Sequence, residues 1–121
     1  MARVLIVDDS PTETYKISQL LSKYGYEVLT AETGEKGIEL ARAEMPDVVL
    51  MDIVMPGMNG FQATRQLTSD AKTSAIPVII VTTKDQETDR LWGKRQGAKG
   101  YLTKPVDGDT LVSAIKTVMA A

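Results

Sequence analysis

The sequence contains neither cysteine nor histidine among its 121 residues. Without cysteine, the chain can form no disulfide, no thiol nucleophile and no Cys-ligated zinc site. Without histidine, it lacks the commonest general base, imidazole metal ligands and any Ser-His-Asp triad. Any chemistry of its own must therefore use carboxylates, lysine, or the hydroxyl groups of Ser, Thr and Tyr.

Excess charge and long hydrophobic runs are also missing. The 14 basic and 16 acidic residues give a formal net charge of -2, and the basic residues are scattered, so we expect no nucleic-acid partner. The apolar runs are only a few residues long, which predicts neither a signal peptide nor membrane insertion. We therefore expect a cytoplasmic protein, with one domain over residues 1–121 and no output domain.

Five predicted strands alternate with five predicted helices. Continuous, mostly branched apolar runs at residues 3–7, 48–51 and 78–81 are typical of parallel strands covered on both faces, and residues 27–31 and 100–102 are two further strand candidates. Ser10, Pro11 and Glu13 predict a capping box that opens a helix ending at Gly25. Further helices are predicted over residues 34–44, 61–70, 85–96 and 108–120. This alternation predicts an α/β fold, a doubly wound five-stranded parallel sheet with five helices.

Polar residues follow the predicted strands at the points where each strand ends. They are Asp8 and Asp9, Asp52, Thr82 and Thr83, and the run Thr103, Lys104 and Pro105. In doubly wound sheets, functional groups gather beyond the carboxyl ends of the strands. Three carboxylates brought together there repel one another unless a cation compensates them, and oxygen ligands suit Mg²⁺. The sequence therefore predicts a magnesium site at this edge.

Phosphoryl transfer is the chemistry that such a site favours. Asp52 is the natural nucleophile and would form an acyl phosphate, while Lys104 supplies positive charge and Thr82 a hydroxyl donor. Each residue alone also has an ordinary structural interpretation. The Asp8-Asp9 pair and Asp52 could be turn or helix-cap residues, and residues 55–60 could be a plain turn rather than a loop that positions Asp52.

The ordered motifs resemble a known family. Val-Asp-Asp at residues 7–9, Leu-Met-Asp-Ile-Val-Met-Pro-Gly-Met-Asn-Gly at 50–60, Val-Thr-Thr at 81–83 and Gly-Tyr-Leu-Thr-Lys-Pro at 100–105 resemble the receiver domain of two-component response regulators, the flavodoxin-like CheY fold. The resemblance covers the whole chain. Residues 60–68, 81–89 and 92–97 look most similar to the stand-alone receivers of bacterial twitching-motility chemosensory systems, the PilH type.

The resemblance implies a role for each matching residue. Asp52 would accept a phosphoryl group from a histidine kinase, with Lys104 pairing with the acyl phosphate. Mg²⁺ would be held by Asp9 and Asp52 directly, by the backbone carbonyl of Val54, and by Asp8 through water. Three further residues complete the set: Thr82 as the switch hydroxyl, Tyr101 as the switch aromatic, and Pro105 in a cis peptide bond with Lys104.

The output would be a protein contact made through the fourth helix, the fifth strand and the fifth helix. Two positions depart from the prototype chemotaxis regulator: Lys84 stands where it has Glu, and Val54 where it has Asn. Because Val54 cannot hydrogen-bond water, we expect altered autodephosphorylation. Trp92, on the predicted fourth helix, is either a packing residue or an aromatic anchor for a partner.

Two rival functions remain at this point. A haloacid-dehalogenase-type phosphohydrolase also uses an Asp nucleophile on a doubly wound sheet. That family has Asp-x-Asp after its first strand, whereas Asp8 and Asp9 are adjacent here. The second rival is a phosphate sink, in which Asp52 is modified but no partner recognises the modified state.

Overall fold

Five parallel strands form the centre of the molecule in the computed structural model, which describes residues 2–120. The strands are β1 (Arg3–Val7), β2 (Glu27–Ala31), β3 (Val48–Met51), β4 (Val78–Thr82) and β5 (Gly100–Thr103). Their order in the sheet is β2-β1-β3-β4-β5, and every neighbouring pair is parallel. The predicted doubly wound α/β fold is confirmed.

Helices cover both faces of the sheet. They are α1 (Pro11–Lys23), α2 (Gly34–Glu44), α3 (Gly60–Ser69), α4 (Glu87–Arg95) and α5 (Gly108–Ala120). Along β1, Val4 and Ile6 pack in a cluster with residues of α1 and α5, whereas Leu5 and Val7 pack in a second cluster with residues of α2 and α3. Because side chains alternate along a strand, a run that is apolar at every position buries both faces.

Several element bounds differ from the predicted ones. The fourth helix begins at Glu87 instead of residue 85, and the Asp89 carboxylate accepts a hydrogen bond from the backbone N–H of Gln86 at 3.3 Å. Strands β4 and β5 each run one residue further than predicted, because Thr82 pairs with Thr103 in the ladder. Within residues 2–120, no helix is both long and apolar enough to cross a membrane.

Half of the predicted capping box at the start of α1 is wrong. The Ser10 hydroxyl accepts a hydrogen bond from the backbone N–H of Glu13 at 3.3 Å, as expected. The backbone N–H of Ser10, however, donates to Asp8 Oδ1 at 2.9 Å. Since Asp8 takes the donor that Glu13 would need for the reciprocal bond, the Glu13 side chain is available for other contacts.

Candidate functional site

The carboxyl ends of β1 and β3 meet at the centre of the sheet. Strand order reverses here, because β2 lies on one side of β1 and β3, the next strand along the chain, lies on its other side. Val7 pairs with Met51, so Asp8 and Asp52 emerge side by side, and the backbone N–H of Asp52 donates to the carbonyl of Val7 at 3.0 Å. The reversal point of a doubly wound sheet is its usual binding crevice.

Three carboxylates converge in this crevice, as the sequence predicted. Asp8, Asp9 and Asp52 each offer one oxygen, and the three oxygens lie within 4.8 Å of one another. Asp8 is buried, Asp9 is exposed, and the Asp52 side chain is 11% exposed. An oxygen-only donor set that reaches water fits a hard divalent cation such as Mg²⁺, which keeps part of its hydration shell.

Lys104 follows the edge strand β5 and brings a positive charge into the carboxylate cluster. Its Nζ lies 2.7 Å from Asp8 Oδ2, 3.4 Å from Asp52 Oδ2 and 3.8 Å from Glu13 Oε1. The peptide bond between Lys104 and Pro105 is cis, the isomer that the resemblance implied. With its side chain 8% exposed, Lys104 is an almost fully enclosed cation.

Burial and charge shift the pKa values of both groups. Burial raises the pKa of Asp52, and the neighbouring Asp8 charge adds to the rise, while the charge of Lys104 opposes it. For Lys104, burial lowers the pKa, but the hydrogen bond with Asp8 and the charges of Asp52, Asp8 and Glu13 outweigh that effect, so the pKa is raised. The lysine therefore stays protonated, and its positive charge only partly offsets the cost of burying the Asp52 carboxylate beside Asp8.

The loop after β3 fixes the orientation of Asp52. Its Oδ1 accepts a hydrogen bond from the backbone N–H of Ile53 at 2.7 Å. The backbone N–H of Gly60 then donates to the carbonyl of Ile53 at 3.0 Å. A Cβ atom at Gly60 would lie 2.0 Å from the backbone oxygen of Asp52. Glycine is therefore required at residue 60, and this loop folds directly onto the backbone of Asp52.

Thr82 and Tyr101 lie on the neighbouring strands β4 and β5, of which β5 is the edge strand. Thr82 is fully buried at the end of β4. The Tyr101 hydroxyl donates to the backbone carbonyl of Lys84 at 2.7 Å, which ties β5 to the segment between β4 and α4. Burial, followed by the charge of Asp89, raises the pKa of Tyr101 to about 12, so the phenol remains a hydrogen-bond donor at neutral pH.

Two residues of this region were missed by the sequence reasoning. Glu13, assigned only to a helix cap, reaches Lys104 from the first turn of α1, a turn that begins at the carboxyl end of β1. Its helical position was the available signal. Arg90 lies over the Tyr101 ring at 4.9 Å from the centroid and donates to Thr103 Oγ1 at 2.9 Å. No sequence motif pointed to this clamp, because it joins a helix and a strand ten or more residues apart.

The remaining predicted residues lie on the surface of the protein. Thr83 and Val54 are exposed, with 54% of the Val54 surface accessible. Trp92 is 48% exposed on α4. This exposure leaves a large apolar surface accessible, which favours an anchor for a partner over a packing residue.

Comparison with known proteins identifies the family. Residues 4–116 match the family described as the response regulator receiver domain. The chain belongs to the response regulator receiver family. It is 72% identical over 120 residues to Protein PilH of Pseudomonas aeruginosa, and the match covers 99% of each chain. It is 38% identical to the response regulator PleD of Caulobacter vibrioides, of which it spans 26%.

Solved receiver structures share the fold. The chemotaxis protein CheY4 of Vibrio cholerae has a TM-score of 0.91 at 34% identity, covering 98% of each chain. A putative response regulator from Chloroflexus aurantiacus has a TM-score of 0.95 at 28% identity, covering 99% of this chain and 98% of that one. The protein is thus a receiver-type signalling protein closely related to PilH, and this membership decides against the phosphohydrolase alternative. Receiver domains accept phosphoryl groups from histidine kinases.

Proposed function

We propose that this receiver is a phosphorylation-dependent switch in which Asp52 is the phosphoacceptor. The observation that carries the proposal is the placement of the Asp52 carboxylate beside Asp8 and Asp9, with Lys104 Nζ 3.4 Å from Asp52 Oδ2. Oδ1 is occupied by the short bond from Ile53, so Oδ2 is the oxygen with the weaker protein contact. This asymmetry supports Oδ2 as the attacking atom.

The transfer needs no general base from this chain. An ionised Asp52 oxygen attacks phosphorus, an O–P bond forms, and the P–N bond of a kinase phosphohistidine breaks, with the electron pair leaving on the imidazole nitrogen. Lys104 moves its positive charge from Asp52 to the new phosphoryl oxygens. Asp9, Asp52 and the carbonyl of Val54 would hold Mg²⁺ directly and Asp8 through water. When bound, Mg²⁺ neutralises charge on the transferred group.

Phosphorylation would then change the outer surface through Thr82 and Tyr101. A phosphoryl group adds about -1.5 to -2 charges and three acceptor oxygens, which favour inward movement of the Thr82 hydroxyl. Such a movement alters the space available to the Tyr101 ring and therefore the surface of α4, β5 and α5, which we propose as the contact for a downstream protein. A ligand shifts such an equilibrium only through its differential affinity for the two states.

The similarity to PilH supports a specific setting. We propose that the protein acts in the cytoplasm, in the chemosensory control of type IV pilus twitching motility. A phosphate sink is the second candidate, because the carboxylate site supports phosphorylation equally well with or without a downstream reader. A pull-down of pilus or motor components with and without phosphodonor separates the two, since equal binding would favour the sink.

Intact-mass spectrometry tests the phosphoacceptor role. With Mg²⁺ and acetyl phosphate, the wild-type protein should gain one phosphoryl group, whereas Asp52→Ala should gain none. Asp85→Ala, which removes an exposed carboxylate from the loop before α4, is the matched control and should be labelled like the wild type. Labelling that persists in Asp52→Ala would defeat the proposal.

A further inference from the structure

A groove of about 720 Å³ lies between α3 and α4. One wall comes from α3, with Phe61 and Arg65, and the other from α4, with Trp92 and Gln96. Met58, in the loop that follows β3, closes one end. The lining includes none of the carboxylates or Lys104, so the groove is separate from the proposed phosphoacceptor site.

The two walls have the spacing of helical ridges. Phe61 and Arg65 are four residues apart on α3, and Trp92 lies four residues before Gln96, the residue that caps the C-terminus of α4, so each pair forms one row along its helix. The helices are joined near the C-terminus of α4, where Thr68 Oγ1 donates to the carbonyl of Gln96 at 2.7 Å. The groove is therefore preformed, and it has the shape into which a third helix packs.

The chemistry of the groove favours an anionic, amphipathic occupant. Trp92 presents a half-exposed aromatic ring, the residue type most enriched where partner proteins bind tightly. Of the described residues that line the groove, Arg65 is the one that carries a charge. Its guanidinium makes a long 3.4 Å contact with the carbonyl of Arg95, and among residues 2–120 no carboxylate lies within 4 Å of it. Most of its N–H donors are thus available to a carboxylate on a partner.

We propose that this groove docks an acidic amphipathic helix of a partner protein. Apolar side chains of that helix would pack on Trp92 and Phe61, and a carboxylate on its flank would pair with Arg65. The net charge of the chain is -2, which by itself favours basic peptides over acidic ones. Preference for an acidic helix would therefore have to come from Arg65 in the groove and not from the overall charge. The proposal does not depend on phosphorylation of Asp52, and it concerns the side of α4 that faces α3 rather than the surface that α4 shares with β5 and α5.

Trp92 is the only tryptophan, so its fluorescence reports directly on occupation of the groove. The probe is a Trp-free amphipathic peptide of about four helical turns, with leucines on one face and glutamates beside them. Titration with this peptide should shift the Trp92 emission to shorter wavelength and saturate. The same peptide with every Glu replaced by Lys should give no saturable shift. Equal responses to the two peptides, or none to the acidic one, would overturn the proposal.

Charge reversal at Arg65 completes the test. Arg65→Glu should weaken binding of the acidic peptide by about tenfold or more, the loss expected for one charge-assisted contact. Lys36→Glu changes the net charge equally on the exposed face of α2 and should leave the affinity unchanged. Equal weakening by both variants would mean that overall charge alone governs binding, and the groove would then be rejected. Intact-mass labelling of Arg65→Glu with acetyl phosphate shows separately whether the phosphoacceptor site still works.

Discussion

Replacement of Lys104 by methionine should destabilise the protein mainly by exposing the repulsion among its carboxylates. Lys104 and Asp8 are 8% and 3% exposed and form a 2.7 Å ion pair. Removing one partner of a buried pair costs about 3 to 5 kcal/mol, because the other charge remains buried without compensation. Asp52 loses its cation in the same change. We therefore expect the free energy of unfolding of Lys104→Met to fall by about 3 kcal/mol or more at neutral pH without Mg²⁺.

Mg²⁺ should recover part of this loss. Without the competing ammonium group, the carboxylates of the variant bind the cation more tightly. Each tenfold gain in affinity adds about 1.4 kcal/mol of stability at saturation, since only the folded state has the site. Acid should also reduce the loss, because burial raises the pKa of Asp52 and its protonation removes one charge from the repelling cluster. The difference between wild type and Lys104→Met should thus shrink both with added Mg²⁺ and with falling pH.

Urea denaturation followed by circular dichroism, with and without Mg²⁺, measures these differences. Lys116→Met, which removes an exposed lysine from α5, is the control and should stay within about 0.5 kcal/mol of the wild type. A loss below about 1 kcal/mol for Lys104→Met would show that the ion pairs of the crevice contribute little. A large loss that Mg²⁺ leaves unchanged would show that the carboxylates do not form a cation site.

Three further changes test other parts of the account. Because burial raises the pKa of Asp52 above its unfolded value, the ionised group opposes folding once the pH exceeds that folded pKa. Asp52→Asn should therefore raise the free energy of unfolding at neutral pH without Mg²⁺, an advantage that disappears below the ordinary carboxyl pKa; equal stability of the two proteins at neutral pH would contradict this. Gly60→Ala should cost about 3 kcal/mol or more by thermal or urea unfolding, because its methyl group meets backbone. Gly108→Ala, whose nearest neighbours are side-chain atoms, should cost much less, and equal losses would reject the close packing of the loop on Asp52. Val54→Asn should speed phosphoryl loss, followed by intact mass after removal of acetyl phosphate, because its amide can hold the attacking water; an unchanged rate would remove this role.

The type and order of all ten elements could be predicted because two strong local signals coincide. Uninterrupted apolar runs such as Val48–Met51 are buried on both faces, and Gly25, with φ of 84°, ends the first helical segment where the pattern stops. Helix starts were less certain. Asp85 and Gln86 are as polar as the first helical turn of α4, so the sequence pattern could not show that the helix begins at Glu87.

The meeting of Asp8, Asp52 and Lys104 also followed from the sequence, since parallel strands end at one edge of the sheet. What could not be predicted are contacts set by side-chain reach and competition for donors. Asp8 and Glu13 compete for the backbone N–H of Ser10, and only the geometry decides that Asp8 takes it. The Glu13 side chain, which does not receive this hydrogen bond, instead becomes a third carboxylate near Lys104.

The most direct test of the account is to locate the acyl phosphate. Borohydride reduces an aspartyl phosphate to homoserine, so treatment after incubation with acetyl phosphate and Mg²⁺ marks the modified residue permanently. The tryptic peptide over residues 43–65 contains both Asp47 and Asp52, and the exposed Asp47 serves as an internal control. Tandem mass spectrometry should find homoserine at Asp52 and intact aspartate at Asp47. Homoserine at any other aspartate, with Asp52 unchanged, would contradict the central claim.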